Sequence, residues 1–126
     1  MIRHVFVYGT LRPGDVRWAI LEPFVVDGGV IDTADGSLFD TGLDYPAAIF
    51  DTGGTIVGQR LALLESSIAR ALDVLDEVED IVGGEYSRVT IRTGTGIDAW
   101  AYAYGTGLSL TPIPSGDWFA HRPPPI

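Results

Sequence analysis

The sequence contains no cysteine and no lysine, and its only histidines are His4 and His121. Without Cys there is no disulfide, no thiol nucleophile and no thiolate ligand for zinc or an iron–sulfur cluster. Without Lys there is no Schiff-base chemistry and no Walker-type phosphate lysine. A two-His metal site or a His-based triad must use those two positions, and no G-x-S-x-G nucleophile elbow accompanies them. His4 precedes a strand and is expected at an edge or on the surface, and His121 lies in a Pro-rich tail.

Positive charge is also scarce. All eight basic residues are Arg, against 17 Asp and Glu, for a net charge of -9 at pH 7. They form no run, so neither nucleic acid nor an anionic membrane is expected as a partner. No apolar stretch approaches the ~20 residues of a membrane span. Met1 to Gly9 does not have the form of a signal peptide, and a cytoplasmic location is expected. A calcium loop would need ordered oxygen ligands closing on a Glu, and no such set occurs, so no metal is expected. Asp32, Asp35, Asp40 and Asp44 crowd a loop-rich stretch, where Asp is expected as a turn residue. Trp18, Trp100 and Trp118 are expected to pack rather than to stack on bases.

What remains is the pattern of a small sheet. The 126 residues, 46% of them hydrophobic, suffice for a core and are expected to form one domain over 1–126. Ile2 to Tyr8 reads as a strand by its β-branched and aromatic content. Pro13 to Leu21 suggests a short helix, and Phe24 to Ile31 a strand with a bulge at Gly28-Gly29. Short strands are expected at Ser37 to Asp40 and Ala47 to Phe50, a turn at Asp51 to Gly54, and a strand from Ile56 to Leu64. Glu65 to Glu79 lacks Gly and Pro and predicts a helix, capped by Ser66 or Ser67 and stopped at Gly83-Gly84. Tyr86 to Arg92 and Asp98 to Tyr104 alternate again. From about residue 106 the chain reads as an irregular, Pro-rich tail. Six or seven short strands with one clear helix predict an α+β fold, a small closed or strongly curved mixed or antiparallel β-barrel with the main helix packed against it.

Two local features point to chemistry. The helix carries an apolar stripe at Ile68, Leu72 and Leu75, and the next position in that stripe is Glu79. At about 100° per residue, Glu79 returns to the direction of Ile68, whereas Glu77 points to solvent. Two readings follow. A helix that reaches 79 gives a partly buried carboxyl with a raised pKa, as a general base or acid needs near neutral pH. A helix that frays earlier leaves Glu79 a solvated end residue. The second feature is the loop Gly9-Thr10-Leu11-Arg12-Pro13-Gly14, set directly behind the apolar strand Val5 to Tyr8. Loops of this kind present backbone N–H groups that can hold an anion.

The segments "VFVYGTLRPG", "YPAAI" (45–49), "VGQRLAL" (57–63), "LDEVED" (75–80), "YSRVTI" (86–91) and "AWAYAY" (99–104) follow one another in an order that resembles the γ-glutamylcyclotransferase-like family. "SGDW" at 115–118 extends the likeness, and "YGTL" looks closest to the γ-glutamylamine cyclotransferase branch. The resemblance implies a small β-barrel with flanking helices. It implies an enzyme that cyclises a γ-glutamyl group to 5-oxoproline and releases the attached amine, with no cofactor. By position, the catalytic residue is Glu79 and the substrate-binding loop is Tyr8, Gly9, Thr10 and Leu11. Tyr86 is a candidate oxyanion donor, Arg12 and Arg88 are candidates to attract a carboxylate, and Tyr45-Pro46, with a cis peptide as one option, is a candidate pocket wall. Asp80 stands where many members carry Gly, and the tail is expected to bear on the leaving-group side. The implied partner is a small γ-glutamyl substrate, and exposed barrel strands are compatible with a homodimer. The alternatives are a non-catalytic small-acid binding module on the same fold and an interaction domain without a pocket.

Overall fold

Val5, Phe6 and Val7 are almost wholly buried, because their strand runs through the middle of a sheet covered on both faces. The computed structural model describes residues 2–81 and 85–122, and the side chains of residues 79–81 lie outside the described residues. The chain runs β1 (His4–Val7), α1 (Trp18–Leu21), β2 (Val30–Asp40), β3 (Pro46–Ala62), α2 (Ile68–Ile81), β4 (Tyr86–Arg92), β5 (Asp98–Tyr104), β6 (Thr111–Pro112) and α3 (Trp118–His121). Among the described residues these strands form one mixed sheet in the order β4-β5-β1-β3-β2-β6. β1 pairs with β5 in parallel, and the remaining pairs are antiparallel. The sheet curls strongly, with β4 and β6 as its edges, so the fold is the curved rather than the closed form of the expected architecture. Among the described residues no helix is long and apolar enough to cross a membrane.

Strand alternation divides the core in two. Val5 and Val7 pack with Leu21, Leu61, Ala71 and Leu75 beneath α1 and α2. Phe6 and Tyr8 point the other way, to Leu38, Ala48, Ile56, Ala99, Ala101 and Trp118. The alanines of this second cluster leave room for the strands to curl toward each other. Gly58 serves the same end, since a Cβ there would stand 2.5 Å from the Val7 carbonyl and 2.7 Å from the Phe6 ring.

Several local expectations change. The strand expected from Phe24 begins at Val30. Phe24 closes a turn of 3-10 helix, and Asp27 accepts from the Gly29 N–H to turn the chain. The turn at Asp51 to Gly54 does not end a strand. It is an excursion within β3, as Gly36 pairs with Phe50 and Asp35 with Thr55. Ser66 and Ser67 lie in a 3-10 turn that leads directly into α2. The helix backbone runs past Glu79 to Ile81, while Gly83-Gly84 lies outside the described residues. His4 opens the central strand rather than an edge. The stretch expected to be an irregular tail supplies β6 and α3 and buries Ile113 and Trp118.

Asp32, expected as a turn residue, is instead a buried tie. Its carboxylate accepts from Thr95 Oγ1 at 2.7 Å and Arg60 Nε at 3.0 Å, joining the β4–β5 turn to β2 and β3. Burial pushes its pKa up, but hydrogen bonds from Thr95, Thr93, the Thr33 N–H and Arg60 outweigh that and hold it at about 2. An unfolded Asp titrates near ~3.9, so the unfolded chain binds more protons between these values. The stabilisation is therefore complete above about pH 4 and is lost as pH falls through about 2. Asp32→Asn should lose about 3 kcal/mol at neutral pH, and its stability should decline less steeply than wild type between about pH 4 and 2. Urea titrations across pH check both, and parallel profiles would refute the tie.

Candidate functional site

Beyond Val7 the chain leaves the sheet as the loop Tyr8 to Leu11. Gly9 is required there by close approach. A Cβ would stand 2.7 Å from the Pro46 ring. The loop is closed by Arg12 N–H donating to Gly9 O at 3.0 Å and Arg17 N–H donating to Thr10 O at 2.9 Å. The backbone N–H groups of Gly9, Thr10 and Leu11 make no hydrogen bond among the described residues, a set suited to an anion.

These residues line a pocket of about 490 Å³, its open mouth included. Its inner wall is buried and comes from Phe6 to Leu11, Pro46, Val78 and Tyr102. Its half-buried rim is Arg17, Tyr45 and Tyr86. Hydrogen bonds fix the aromatic wall. Tyr8 donates to the Tyr102 carbonyl at 2.6 Å, Tyr102 donates to Asp76 at 2.6 Å, and Tyr86 donates to the Pro46 carbonyl at 3.1 Å. Arg88 stands 3.5 Å from Asp76. The Tyr45 and Tyr86 rings meet edge to face at 6.4 Å. Such a concave, mostly apolar site with a few convergent polar groups suits a small polar ligand.

The expected loop residues Tyr8, Gly9, Thr10 and Leu11 all line this pocket, as do Tyr45, Pro46 and Tyr86. Among the described residues there is no cis peptide at Pro46 or elsewhere. Val78 lines the pocket from α2, and the backbone of Glu79 follows it in the same helix, but the Glu79 side chain lies outside the described residues. Glu77 is exposed, as its helix position requires. Arg12 and Arg88 do not line the pocket. Arg12 is buried, with Nε donating to Gln59 at 3.0 Å, one Nη 2.9 Å from Asp117, and its guanidinium 3.8 Å over the Phe119 ring. It fastens the loop to α3 and is occupied within the fold.

The C-terminal residues reach the pocket indirectly. His121 Nε2 lies 2.8 Å from Asp40, while Arg122 donates to Leu43 O and Asp44 at 3.0 and 2.9 Å. These contacts hold the loop that carries Tyr45. The His121 ring and the Gly42 N–H keep the Asp40 carboxyl below its ordinary range, outweighing the effect of burial. Three contributors carried no local sequence signal: Arg17 on the rim, Asp76 behind Tyr102, and Asp117 opposite Arg12. The "LDEVED" segment containing Asp76 and the "SGDW" segment containing Asp117 had been marked only as parts of a family likeness.

Fold and site together define a small α+β protein with a pocket at the end of its central strand. The family model described as "Gamma-glutamyl cyclotransferase, AIG2-like" matches residues 5–120. A Vibrio cholerae protein named "Putative gamma-glutamylcyclotransferase" is 35% identical over 115 residues, covering 90% of this chain and 93% of that protein. A protein of the same description from Halalkalibacterium halodurans is 37% identical over 90 residues, covering 66% of this chain and 78% of its own. An uncharacterised protein from Pyrococcus horikoshii shares the fold at TM-score 0.72 and 23% identity, covering 95% of this chain and 92% of that one. A mouse AIG2-like protein does so at TM-score 0.57 and 19% identity, covering 83% and 78%. The chain belongs to the gamma-glutamyl cyclotransferase, AIG2-like family.

Gly9→Ala tests the pocket wall. The added methyl must displace Pro46, and overpacking of this kind costs about 1–3 kcal/mol. Chemical denaturation should show that loss, and unchanged stability would mean that the loop and Pro46 are not in close contact.

Proposed function

We propose that the protein cyclises a γ-glutamyl amine or γ-glutamyl peptide to 5-oxoproline and releases the amine. The observation that carries this reading is the meeting, at one pocket, of the loop N–H groups of Gly9, Thr10 and Leu11 with the helix turn that bears Glu79. The family and the names of the two curated relatives support the same reaction class.

In this reading the loop N–H groups bind the glutamyl α-carboxylate and leave the chain curled, so the α-nitrogen meets its own γ-carbonyl carbon. The reaction is intramolecular, and positioning supplies much of the acceleration. The α-nitrogen forms the lactam C–N bond, and the bond from the γ-carbonyl carbon to the leaving nitrogen breaks. Glu79 takes the proton released by the α-nitrogen and returns it to the departing amine. A free α-amino group titrates near ~8 and an ordinary Glu near ~4.3. The reading requires the Glu79 carboxyl to be desolvated against the pocket, which narrows that gap. The fixed, mostly apolar wall of Tyr8, Tyr102 and Pro46 excludes water, which would otherwise compete for the proton. The Tyr86 hydroxyl already donates to Pro46, so a loop N–H is the better candidate for the oxyanion.

The test is 5-oxoproline release from γ-glutamyl-ε-lysine, small γ-glutamyl amines, γ-glutamyl dipeptides and glutathione, with wild type beside Glu79→Gln. Wild type should release product, and the variant should lose at least about 10²-fold in rate while melting at the wild-type temperature. Binding of 5-oxoproline without turnover of any substrate would instead favour a non-catalytic small-acid binding module.

A further inference from the structure

One pocket residue has no part in that chemistry. Among the described residues Arg17 is the only basic side chain lining the pocket. The chain carries 17 carboxylates, and Arg3, Arg12, Arg60, Arg88, Arg92 and Arg122 each lie within 4.0 Å of one. Arg17 has no carboxylate partner among the described residues. One of its Nη atoms donates to Thr10 Oγ1 at 3.2 Å, and its Cζ lies 5.9 Å from the Tyr45 ring centre. Those two contacts steady the guanidinium and leave most of its donors for a ligand, in the planar fork that matches a carboxylate.

Position decides which carboxylate. The N–H groups of Gly9, Thr10 and Leu11 belong to the buried wall, whereas Arg17 sits with Tyr45 and Tyr86 on the half-buried rim. A leaving amine must depart through the mouth, past that rim. We propose that Arg17 is a specificity residue that recognises a carboxylate borne by the leaving amine, so that γ-glutamyl amino acids are preferred to simple γ-glutamyl amines. The inference rests on the cyclotransferase reading. It assigns the wall to one end of the substrate and the rim to the other.

γ-Glutamylalanine and γ-glutamylethylamide are a matched pair, differing only in that carboxylate. Wild type should prefer γ-glutamylalanine. Arg17→Gln should raise KM for γ-glutamylalanine on the order of 10- to 100-fold, as loss of a charge-assisted contact does. The change for γ-glutamylethylamide, which lacks the carboxylate, should be no more than a few-fold, the share owed to the lost Thr10 contact. Arg17→Lys should recover part of the loss, and thermal melting of both variants controls for folding. If Arg17→Gln does not fold, the wild-type preference within the pair and the Arg17→Lys constants decide. Equal losses on both substrates, or none on either, would overturn the assignment, as would a wild type indifferent to the pair. Turnover of γ-glutamylethylamide alone would sink this inference and leave the cyclotransferase reading standing. Turnover of no γ-glutamyl compound would sink both.

Discussion

The pocket depends on a buried cation. Arg12 is 3% exposed, and a desolvated guanidinium is tolerated only when its donors are met and its charge is paired. Gln59 on the central pair of strands, Asp117 at the start of α3 and the face of Phe119 meet those needs together. Each partner is thereby held to the loop that leaves β1. Asp117 also accepts from the Phe119 N–H at 3.0 Å and so caps α3. One carboxylate thus begins the helix and anchors the loop. Such a pair is weak as a source of net stability but strong as a constraint on geometry, because any other loop path strands a charge away from water.

From that anchor the rest of the site follows by steric necessity. The loop can pass Pro46 only because position 9 has no side chain, and β1 can curl against β3 only because position 58 has none. Curling brings the end of β1, the start of β3 and the side of α2 to one place, and the pocket is the space they fail to fill. α3 then seats Trp118 inside the curl, while His121 and Arg122 grip the loop before Tyr45. Among the described residues the C-terminal segment contributes no lining residue, yet it fixes the far wall.

Legibility in the sequence tracks how local the determining interaction is. β4 and β5 have the bounds that their alternation predicts, because adjacent antiparallel strands joined by a short turn encode their own pairing. The apolar stripe of α2 was likewise readable as a periodicity, since Leu72 and Leu75 are buried and Glu77 is exposed. The Gly-rich stretch at 51–54 misled for a physical reason. Turn residues mark where the chain leaves the ladder, and here it returns to the same partner strand a few residues later. The Pro-rich end misled for another: α3 rests on Asp117 and Trp118 meeting residues near the opposite end of the chain, and no window of sequence contains both. Arg17 is the clearest case. Its neighbours say nothing of a pocket, and only the loop's closure onto Thr10 brings it there.

The scarcity of positive charge gives these placements their meaning. A chain of net charge -9 repels an anionic small molecule at long range, though salt screens that field beyond roughly 8 Å. Recognition therefore has to come from groups at contact distance. Six of the Arg residues are neutralised by their own carboxylates, which leaves the pocket with loop N–H dipoles at its wall and one guanidinium at its rim. Both favour an anion without a net positive field that would attract anions indiscriminately. They also do so at two separated places, so a ligand with two acidic ends is better matched than one with a single acidic end. Composition and geometry converge there: six of the eight Arg residues lie within 4.0 Å of a carboxylate, Arg70 is exposed elsewhere on α2, and Arg17 stands at the pocket mouth, placed to read what the ligand carries outward.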